Sequence, residues 1–339
     1  MIPVCVLTGF LGSGKTTLLG RLVKSSDFRA TAVIINEFGE IGLDHDLIET
    51  SDESFVELQT GCLCCTIRGD LVRTLADILR RRDDGAVPAF DRIVIETSGL
   101  ADPAPILHAL MSDDHLAARL TVAGVVTTVD AVNGADTLGR RQEAVKQVAL
   151  ADRLVLTKTD LVDQNPDALL ARLAALNPTA PVLPATFGAI DPSRLFDAGV
   201  RDASGKSADG PAWLAEIAHH HDRAHDPNRH DERIACFALI RDRPIAAVAL
   251  TLFLEVLSEH CGADLLRLKG IVDIAESPDR PAVIHGVQHV FHPPGFLDRW
   301  PSADRRSRMI FIVREIPRAF VEALLGAIEA EVQETAQPA

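Results

Sequence analysis

The feature that most constrains this chain is the glycine-rich segment at residues 9–16, Gly-Phe-Leu-Gly-Ser-Gly-Lys-Thr. It follows the apolar stretch PVCVLT and precedes the helical pattern TLLGRLV, so it is predicted to join a strand to a helix. Glycines let the backbone curl until its N–H groups converge on phosphate oxygens, and the helix N-terminus adds partial positive charge. The segment therefore predicts a phosphate-binding loop of the Walker A type.

Specific roles follow from the chemistry of this loop. Lys15 is expected to reach the β and γ phosphates of a nucleotide, and Thr16 to offer its hydroxyl to Mg²⁺. A chance glycine-rich turn is the alternative, and the strand-to-helix setting argues against it. The nucleotide-binding residues predicted here are Gly9, Gly12, Ser13, Gly14, Lys15, Thr16 and Thr17.

A second polar segment, Glu96-Thr97-Ser98-Gly99, follows the apolar run Ile93-Val94-Ile95. A carboxylate at that place is where a phosphate-loop enzyme holds Mg²⁺, directly or through water, and Gly99 can bring a backbone N–H to the γ-phosphate. Lys15 and Glu96 are therefore the predicted catalytic residues, with Thr16 and Glu96 as the magnesium site. The alternative is that Glu96 only caps the turn after its strand.

The segment Thr157-Lys158-Thr159-Asp160 follows another apolar run and is similar to the guanine-binding motif of GTPases. An aspartate at this place accepts hydrogen bonds from N1 and N2 of guanine, whereas adenine presents no such pair of donors. We therefore expect Thr157, Lys158 and Asp160 to contact the base, and GTP to be preferred over ATP. A helix-capping role for Asp160 is the alternative.

Three of the six cysteines lie within four residues, at Cys62, Cys64 and Cys65. Three thiolates at this spacing can bind a tetrahedral, thiolate-preferring ion such as Zn²⁺. A fourth ligand is left open, and Glu37, Glu40 and His45 are candidates. The other interpretations are redox sensing through a local disulfide and a buried structural trio.

The order of apolar patterns predicts the fold class. From residue 3 to about residue 190, strand-like runs alternate with helical patterns, which predicts an α/β domain with the parallel sheet and flanking helices of P-loop NTPases at residues 1–197. Residues 198–231 lose periodicity and hold five of the twelve histidines, so they are predicted to be a His-rich linker that either loads metal or is merely solvated. Residues 232–339 predict a smaller α+β domain.

The net charge argues against two classes of partner, and the first residues bear on the location of the protein. The 48 acidic residues outnumber the 34 basic ones and give a formal charge of −14, which disfavours nucleic acid and anionic membranes as partners. The apolar start runs directly into the glycine-rich segment, which is unlike a secretion signal, and no apolar run is long enough to span a bilayer. A cytoplasmic location is expected.

Taken in order, the segments GFLGSGKTTLL, NEFGEIGLD, GCLCC, ETSGLADP and TKTD resemble the CobW-like GTPases of the group that includes HypB and UreG. The segments RLKG at residues 267–270 and GVQHVF in the second half are similar to the CobW C-terminal domain. The resemblance implies a GTP-driven metallochaperone in which Cys62, Cys64 and Cys65 bind Zn²⁺, or Co²⁺ or Ni²⁺ as in some relatives, and residues 36–49 form a mobile switch. Thr157 departs from the asparagine usual at its position.

These expectations combine into one functional hypothesis. The chain is predicted to bind GTP, hydrolyse it slowly and couple hydrolysis to metal transfer to a client metalloprotein; a nucleotide-dependent homodimer is left open. Slow turnover is expected because no glutamine is placed to orient the attacking water and no arginine finger is evident. The alternatives are a non-catalytic metal sensor gated by GTP and an ATP-dependent kinase of a small molecule.

Overall fold

The computed structural model describes residues 1–28, 30–36, 55–57, 67–162, 166–196 and 234–336. The chain divides into two compact units, the first comprising Met1–Ala174 and Ala180–Gly199, the second Ala175–Thr179 and Val200–Ala339. The residues between the predicted boundaries at 197 and 232 lie outside the described ranges, so those boundaries stay predictions. Within these ranges, no helix is long and apolar enough to cross a membrane.

In the first unit, the strands of the described chain form one parallel sheet. The strands are β1 (Ile2–Gly9), β2 (Thr31–Asn36), β3 (Phe55–Glu57), β4 (Arg92–Thr97), β5 (Leu120–Asp130), β6 (Arg153–Thr157) and β7 (Val182–Pro184). Their order across the sheet is β3-β2-β4-β1-β5-β6-β7, and each pairing is parallel. The predicted α/β fold is confirmed.

Helices connect these strands. They are α1 (Lys15–Val23), α2 (Ile67–Asp83), α3 (Ala104–Ser112), α4 (Asp114–Ala117), α5 (Gly134–Arg140), α6 (Gln142–Leu150), α7 (Asp167–Leu176) and α8 (Pro192–Phe196). Val4 to Leu7 of β1 are at most 3% exposed, since a central parallel strand is covered on both faces. Leu18, Leu19 and Leu22 of α1 are also buried and belong to the same hydrophobic cluster as Cys5 and Leu7.

The parallel topology decides where the polar segments meet. Because all strands run in the same direction, their carboxyl ends lie at one edge of the sheet. The register places Gly9 beside Thr128 and Asp130 beside Thr157 on neighbouring strands. Glu96, near the end of β4, pairs with Leu7 of β1. The phosphate loop (residues 9–16), the segment after β4 and the segment Thr157–Asp160, which is predicted to recognise the base and is called the base-recognition segment below, therefore share this edge.

The second unit contains an antiparallel sheet with two described helices. Its strands are β8 (Ile234–Arg241), β9 (Leu265–Val272), β10 (Ala282–Val287), β11 (Val290–Phe291), β12 (Gly295–Phe296) and β13 (Ser307–Arg314), and its helices are α9 (Ala247–Cys261) and α10 (Arg318–Ala336). The strand order is β11-β10-β9-β13-β8, with β12 paired to β10.

The core of the second unit lies between the sheet and its helices. Phe253 of α9 and Phe311 of β13 are fully buried, and their rings pack edge to face with centroids 6.4 Å apart. Val321 and Leu325 of α10 belong to the same buried cluster. The prediction of a small α+β domain with helices on an antiparallel sheet is therefore confirmed.

Candidate nucleotide site

The phosphate loop adopts backbone conformations that only glycine takes without strain. Gly9, Gly12 and Gly14 have φ values of 143°, 71° and 91°. At Gly9 a Cβ atom would also lie 2.6 Å from the carbonyl oxygen of Thr128 and 2.7 Å from Oγ of Ser13. Gly14 is the N-cap of α1 and supplies no side-chain acceptor to the helix N-terminus. That end of the helix can therefore receive an anion.

The predicted catalytic and magnesium residues lie together beside this loop. Lys15 is buried, and its ammonium group donates a hydrogen bond to the carbonyl oxygen of Gly9 at 2.9 Å. The hydroxyl of Thr16 donates to Oε1 of Glu96 at 3.1 Å, and Glu96 is only 1% exposed. A hydroxyl and a carboxylate in contact are oxygen ligands of the kind that Mg²⁺ prefers, so these residues fit that ion.

Threonine hydroxyls from neighbouring strands join the floor of the site. Oγ1 of Thr97 donates to Oγ1 of Thr8 at 2.8 Å, which links β4 to β1. Oγ1 of Thr128 lies 2.6 Å from Oγ of Ser13, which links β5 to the phosphate loop. All four residues are buried, so the loop rests on a hydrogen-bonded layer from which water is excluded.

Thr157 connects the base-recognition segment to the phosphate loop. Its hydroxyl donates to the carbonyl oxygen of Ser13 at 2.7 Å, and the carbonyl oxygen of Val129 lies 3.2 Å away. Thr157 is 4% exposed, so this contact is shielded from water. The departure from asparagine at this position therefore still leaves a side-chain donor that bonds to the phosphate loop.

Asp130 organises the neighbouring loop. Its carboxylate accepts hydrogen bonds from Nζ of Lys158 at 2.7 Å, from Nδ2 of Asn133 and from the backbone N–H groups of Val132 and Asn133. Burial raises the pKa of this carboxyl, but the hydrogen bonds from Lys158 and the other donors outweigh burial, so the pKa lies below its ordinary value. Lys158 itself has a left-handed backbone with φ of 56°.

Asp160 lies against a loop that the sequence did not single out. Its Oδ1 accepts a hydrogen bond from the backbone N–H of Phe187 at 3.2 Å, while the residue remains exposed. The hydroxyls of Thr159 and Thr186 are 3.1 Å apart. The loop at residues 185–188, which follows β7, therefore forms a second wall of the predicted base site. An ionised carboxylate has several acceptor positions, so Asp160 keeps capacity for a ligand.

A cavity of about 980 Å³ opens beside α1. Its lining includes Thr16 and Thr17 from the start of α1 and Gly188 from the loop after β7. A cavity of this size is in the range of small-molecule sites. Most of its lining comes from the stretch Gly20 to Ser25 and from residues 188–192, and Thr16 is the residue of the phosphate loop that lines it.

Gly99 lies directly against the phosphate loop. A Cβ atom at this position would be 2.6 Å from the backbone nitrogen of Leu11 and 2.8 Å from its Cα. The carbonyl oxygens of Gly99 and Ala101 accept hydrogen bonds from the side-chain amide of Gln147 in α6. The structure thus brings every predicted nucleotide residue to one edge of the sheet, with Gly99 in backbone contact range of the loop.

None of the predicted metal ligands lies among the described residues. This holds for Cys62, Cys64, Cys65, Glu37, Glu40 and His45, and also for the His-rich segment at residues 219–230. Among the residues that the structure does describe, no group of three or more His, Cys, Asp or Glu could hold a metal ion. The thiolate site therefore stays a prediction.

Several residues that contact this site were not predicted from the sequence. Thr128 and Asp130 follow in the strand TTVD, where polar residues at the end of an apolar run were a usable signal. Phe187 was a weaker case, because the loop ATFG after a three-residue strand carries no motif. Gln147 could not have been found, since its apolar helical surroundings give no indication of its contacts.

Comparison with known proteins identifies the family of both parts of the chain. The family model described as the CobW/HypB/UreG nucleotide-binding domain matches residues 3–184, and the cobalamin synthesis protein cobW C-terminal domain matches residues 234–329. The chain is 34% identical over 328 residues to a protein named zinc chaperone YjiA from Escherichia coli, covering 96% of this chain and 98% of that protein.

Two further likenesses extend over nearly the whole chain. A protein named zinc chaperone CobW from Sinorhizobium is 30% identical over 368 residues, covering 96% of this chain and 97% of that protein. The crystal structure of the Zn(II)-bound YjiA GTPase from E. coli matches with a TM-score of 0.73 at 29% identity, covering 96% and 98% of the two chains. This protein therefore belongs to the CobW/HypB/UreG family and carries the CobW C-terminal domain.

Proposed function

We propose that this protein is a GTPase metallochaperone that binds GTP with Mg²⁺, hydrolyses it slowly and delivers Zn²⁺ to a client metalloprotein in the cytosol. Co²⁺ and Ni²⁺ are the alternative cargoes. The names of the relatives, zinc chaperones and a Zn(II)-bound GTPase, support this assignment. Cys62, Cys64 and Cys65 are the proposed ligands of the cargo ion.

The nucleotide-binding part of the proposed function rests mainly on the hydrogen bond from the hydroxyl of Thr157 to the carbonyl oxygen of Ser13 at 2.7 Å. It joins two segments that are 144 residues apart in the chain, one with the chemistry to bind phosphates and one with the chemistry to bind guanine. A nucleotide that spans both segments would meet a preassembled site. This preorganisation reduces the conformational entropy that binding must overcome.

Each side chain of the site then has a chemical role. Lys15 would exchange the carbonyl oxygen of Gly9 for phosphate oxygens, and Asp160 would accept hydrogen bonds from guanine N1 and N2. Thr16 and Glu96 would hold Mg²⁺, which when bound neutralises charge on the phosphates. The backbone N–H of Gly99 would face the γ-phosphate, as its contact with the phosphate loop allows.

Chain length supports coupling between nucleotide and metal. Glu57 ends β3, whose carboxyl end lies at the same sheet edge as the phosphate loop, and Ile67 begins α2. Since an extended chain spans about 3.5 Å per residue, Cys62 lies within roughly 18 Å of Glu57. The covalent chain therefore limits how far the three cysteines can lie from the end of β3. Release of the segment at residues 36–49 after hydrolysis would change the coordination of the ion.

Slow hydrolysis is consistent with the one glutamine that the structure brings against Gly99. Gln147 is fully buried, and its amide nitrogen donates to two backbone carbonyl oxygens. It is therefore not available to orient an attacking water molecule. We expect a partner or the bound metal to supply acceleration.

The decisive experiment titrates metal-free protein with Zn²⁺, Co²⁺ and Ni²⁺, with and without GTP, while hydrolysis is followed. Serine replacement of all three cysteines at 62, 64 and 65 should abolish high-affinity binding and remove any effect of GTP on it. Cys261→Ser, which changes a half-buried thiol at the end of α9, is the matched control and should bind like wild type. Unchanged affinity in the triple variant would remove the thiolate site from the proposal.

The same titration separates the alternatives. Zinc-dependent association without turnover would favour a GTP-gated sensor, and transfer of phosphate from ATP to a small acceptor would favour a kinase. Asp160→Asn tests the base directly, because asparagine pairs with the N1 and O2 edge of xanthine. Preference should shift from GTP to xanthosine triphosphate, and unchanged use of GTP would argue against guanine recognition by Asp160.

A further inference from the structure

Gln147 of α6 is a polar residue placed beneath the segment that follows β4. It is fully buried, and its Nε2 donates to the carbonyl oxygen of Gly99 at 3.2 Å and to that of Ala101 at 3.0 Å. Because both neighbours are acceptors, the amide nitrogen with its two hydrogens must be the atom that faces them. Both donors of the side chain are therefore committed to two alternate carbonyls of this segment.

The segment is a tight turn held on more than one side. The backbone N–H of Ala101 donates to the carbonyl oxygen of Ser98 at 3.1 Å, which closes a turn from Ser98 to Ala101. Gly99 packs against the backbone of Leu11 in the phosphate loop. Gln147 contacts the same turn through two of its carbonyl groups. The turn thus lies between the phosphate loop and α6.

The neighbouring residues of α6 strengthen this attachment. Nζ of Lys146 lies 3.5 Å from Oδ2 of Asp102, the residue after the turn, and Asp102 caps the backbone N–H of Ala104 at the start of α3. The guanidinium of Arg141, just before α6, lies 6.0 Å from the ring centroid of Phe10 in the phosphate loop. The stretch from Arg141 to Gln147 therefore contacts both nucleotide-facing loops.

The side-chain oxygen of Gln147 faces away from the turn's two carbonyl groups. Its Oε1 is buried and accepts no hydrogen bond from the residues that the structure describes. A buried acceptor without a partner destabilises a protein, and an apolar side chain of the same size would avoid this. The polar contacts that the structure gives this side chain are the two hydrogen bonds from Nε2 to the turn.

We propose that Gln147 is a positioning residue that holds the Ser98–Ala101 turn ready for the γ-phosphate, and so sets the discrimination between GTP and GDP. This inference rests on the proposed GTPase function. Glycine has the widest conformational freedom of any residue, so fixing the carbonyl group of Gly99 restricts the peptide whose N–H would meet the phosphate. GDP has no γ-phosphate and does not draw on the turn.

The test compares the full-length wild-type protein with Gln147→Met, which keeps the volume of the side chain and removes both donors. Affinities for GDP and for a non-hydrolysable GTP analogue are measured, together with kcat. GDP affinity should stay within about twofold of wild type, while affinity for the analogue and kcat should each fall about tenfold, the effect of losing positioned hydrogen bonds. Gln147→Glu retains one donor, because burial favours the neutral carboxylic acid. Its affinity for the analogue and its kcat should lie between those of wild type and Gln147→Met.

Thr127→Val is the matched control. The hydroxyl of buried Thr127 donates to the backbone carbonyl oxygen of Gln147 at 2.8 Å, so this variant loses a hydrogen bond to the same residue without releasing the turn. It should be destabilised to a similar degree in thermal unfolding and yet discriminate GTP from GDP as wild type does. The same selective loss in Thr127→Val would overturn the proposal.

The outcomes separate this inference from the function on which it rests. A wild-type protein that binds neither guanine nucleotide refutes the proposed function and the inference together. A wild type that hydrolyses GTP while Gln147→Met discriminates equally well refutes the inference alone. Equal losses of GDP and analogue affinity in Gln147→Met would also refute it, because they would indicate general damage to the site.

Discussion

Replacing Thr157 with valine tests how the base-recognition segment is attached to the phosphate loop. Valine has the shape of threonine, so the change leaves no cavity and removes only the hydroxyl. That hydroxyl has a single hydrogen, and the carbonyl oxygen of Ser13 at 2.7 Å is a closer acceptor than that of Val129 at 3.2 Å. The variant therefore loses one hydrogen bond, and the buried carbonyl oxygen of Ser13 then faces an apolar methyl group in place of a donor.

The magnitude follows from burial at both ends of this contact. Thr157 and Ser13 are 4% and 3% exposed, so water cannot replace the lost donor. A net hydrogen bond contributes about 1 kcal/mol, and an unsatisfied buried acceptor destabilises by about 1–3 kcal/mol, two overlapping terms that together suggest a loss near 1.5 kcal/mol. Such a loss corresponds to roughly a tenfold change in an equilibrium constant.

Urea unfolding and titration with a fluorescent nucleotide measure both consequences. The unfolding transition that GDP shifts to higher urea reports the first unit, and its free energy should fall by about 1.5 kcal/mol in Thr157→Val. Affinities for GDP and GTP should fall equally, because under the proposed function both nucleotides would span the two segments. Thr157→Ser keeps the donor and serves as the control.

Two results would refute this reasoning. If valine and serine variants unfold at the same urea concentration, the hydroxyl of Thr157 does not stabilise the site. If only GTP affinity falls, the contact acts on the γ-phosphate region and does not join the two segments.

Other expected outcomes follow from the same structure. Gly99→Ala would place Cβ 2.6 Å from the backbone of Leu11, so the two loops must separate. We expect the free energy of unfolding to fall by about 1–3 kcal/mol and kcat to be lower in steady-state assays. Gly139→Ala is the control and should be neutral or stabilising, because nothing lies within 4 Å of its Cβ position. The pKa of Asp130 lies below its ordinary value of 3.8 in the folded protein. The ionised carboxylate therefore stabilises the fold above pH 3.8, and this stabilisation is lost as the pH falls through the folded-state pKa. The difference in the free energy of unfolding between wild type and Asp130→Asn should therefore shrink in acid. A difference that grows in acid would contradict this. Phe253→Ala should destabilise the second unit by about 3–5 kcal/mol in urea, and a change below about 1 kcal/mol would argue against its buried position.

Much of the fold could be predicted because its determinants are local. The apolar run from Val4 to Leu7 and the helical pattern TLLGRLV are visible along the chain, and β1 and α1 form there as predicted. The left-handed backbone at Gly14 is likewise a local requirement that glycine signals. By contrast, β7 is only three residues long, and its strand character comes from pairing with β6.

The candidate site could be predicted only in part, for a similar reason. The Walker A segment and Asp160 were identified because their chemistry is carried by short motifs. The roles of Asp130 and Gln147 depend on partners 28 and 48 residues away, and no local pattern announces such pairs. The contact of Asp160 with Phe187 also required the loop after β7 to be brought beside β6.

By itself, the amino-acid sequence determined the phosphate loop, the alternation of strands and helices and the resemblance to a GTPase family, since backbone torsions and hydrophobic periodicity are properties of neighbouring residues. Only the tertiary structure decided that Thr157 bonds to the phosphate loop and that Gln147 supports the Ser98–Ala101 turn. Hydrogen bonds between buried side chains and distant carbonyl groups exist only after the parallel sheet has brought their strands to one edge. This division has a physical reason. Local backbone conformation depends on neighbouring residues, whereas contacts between buried groups depend on the whole fold.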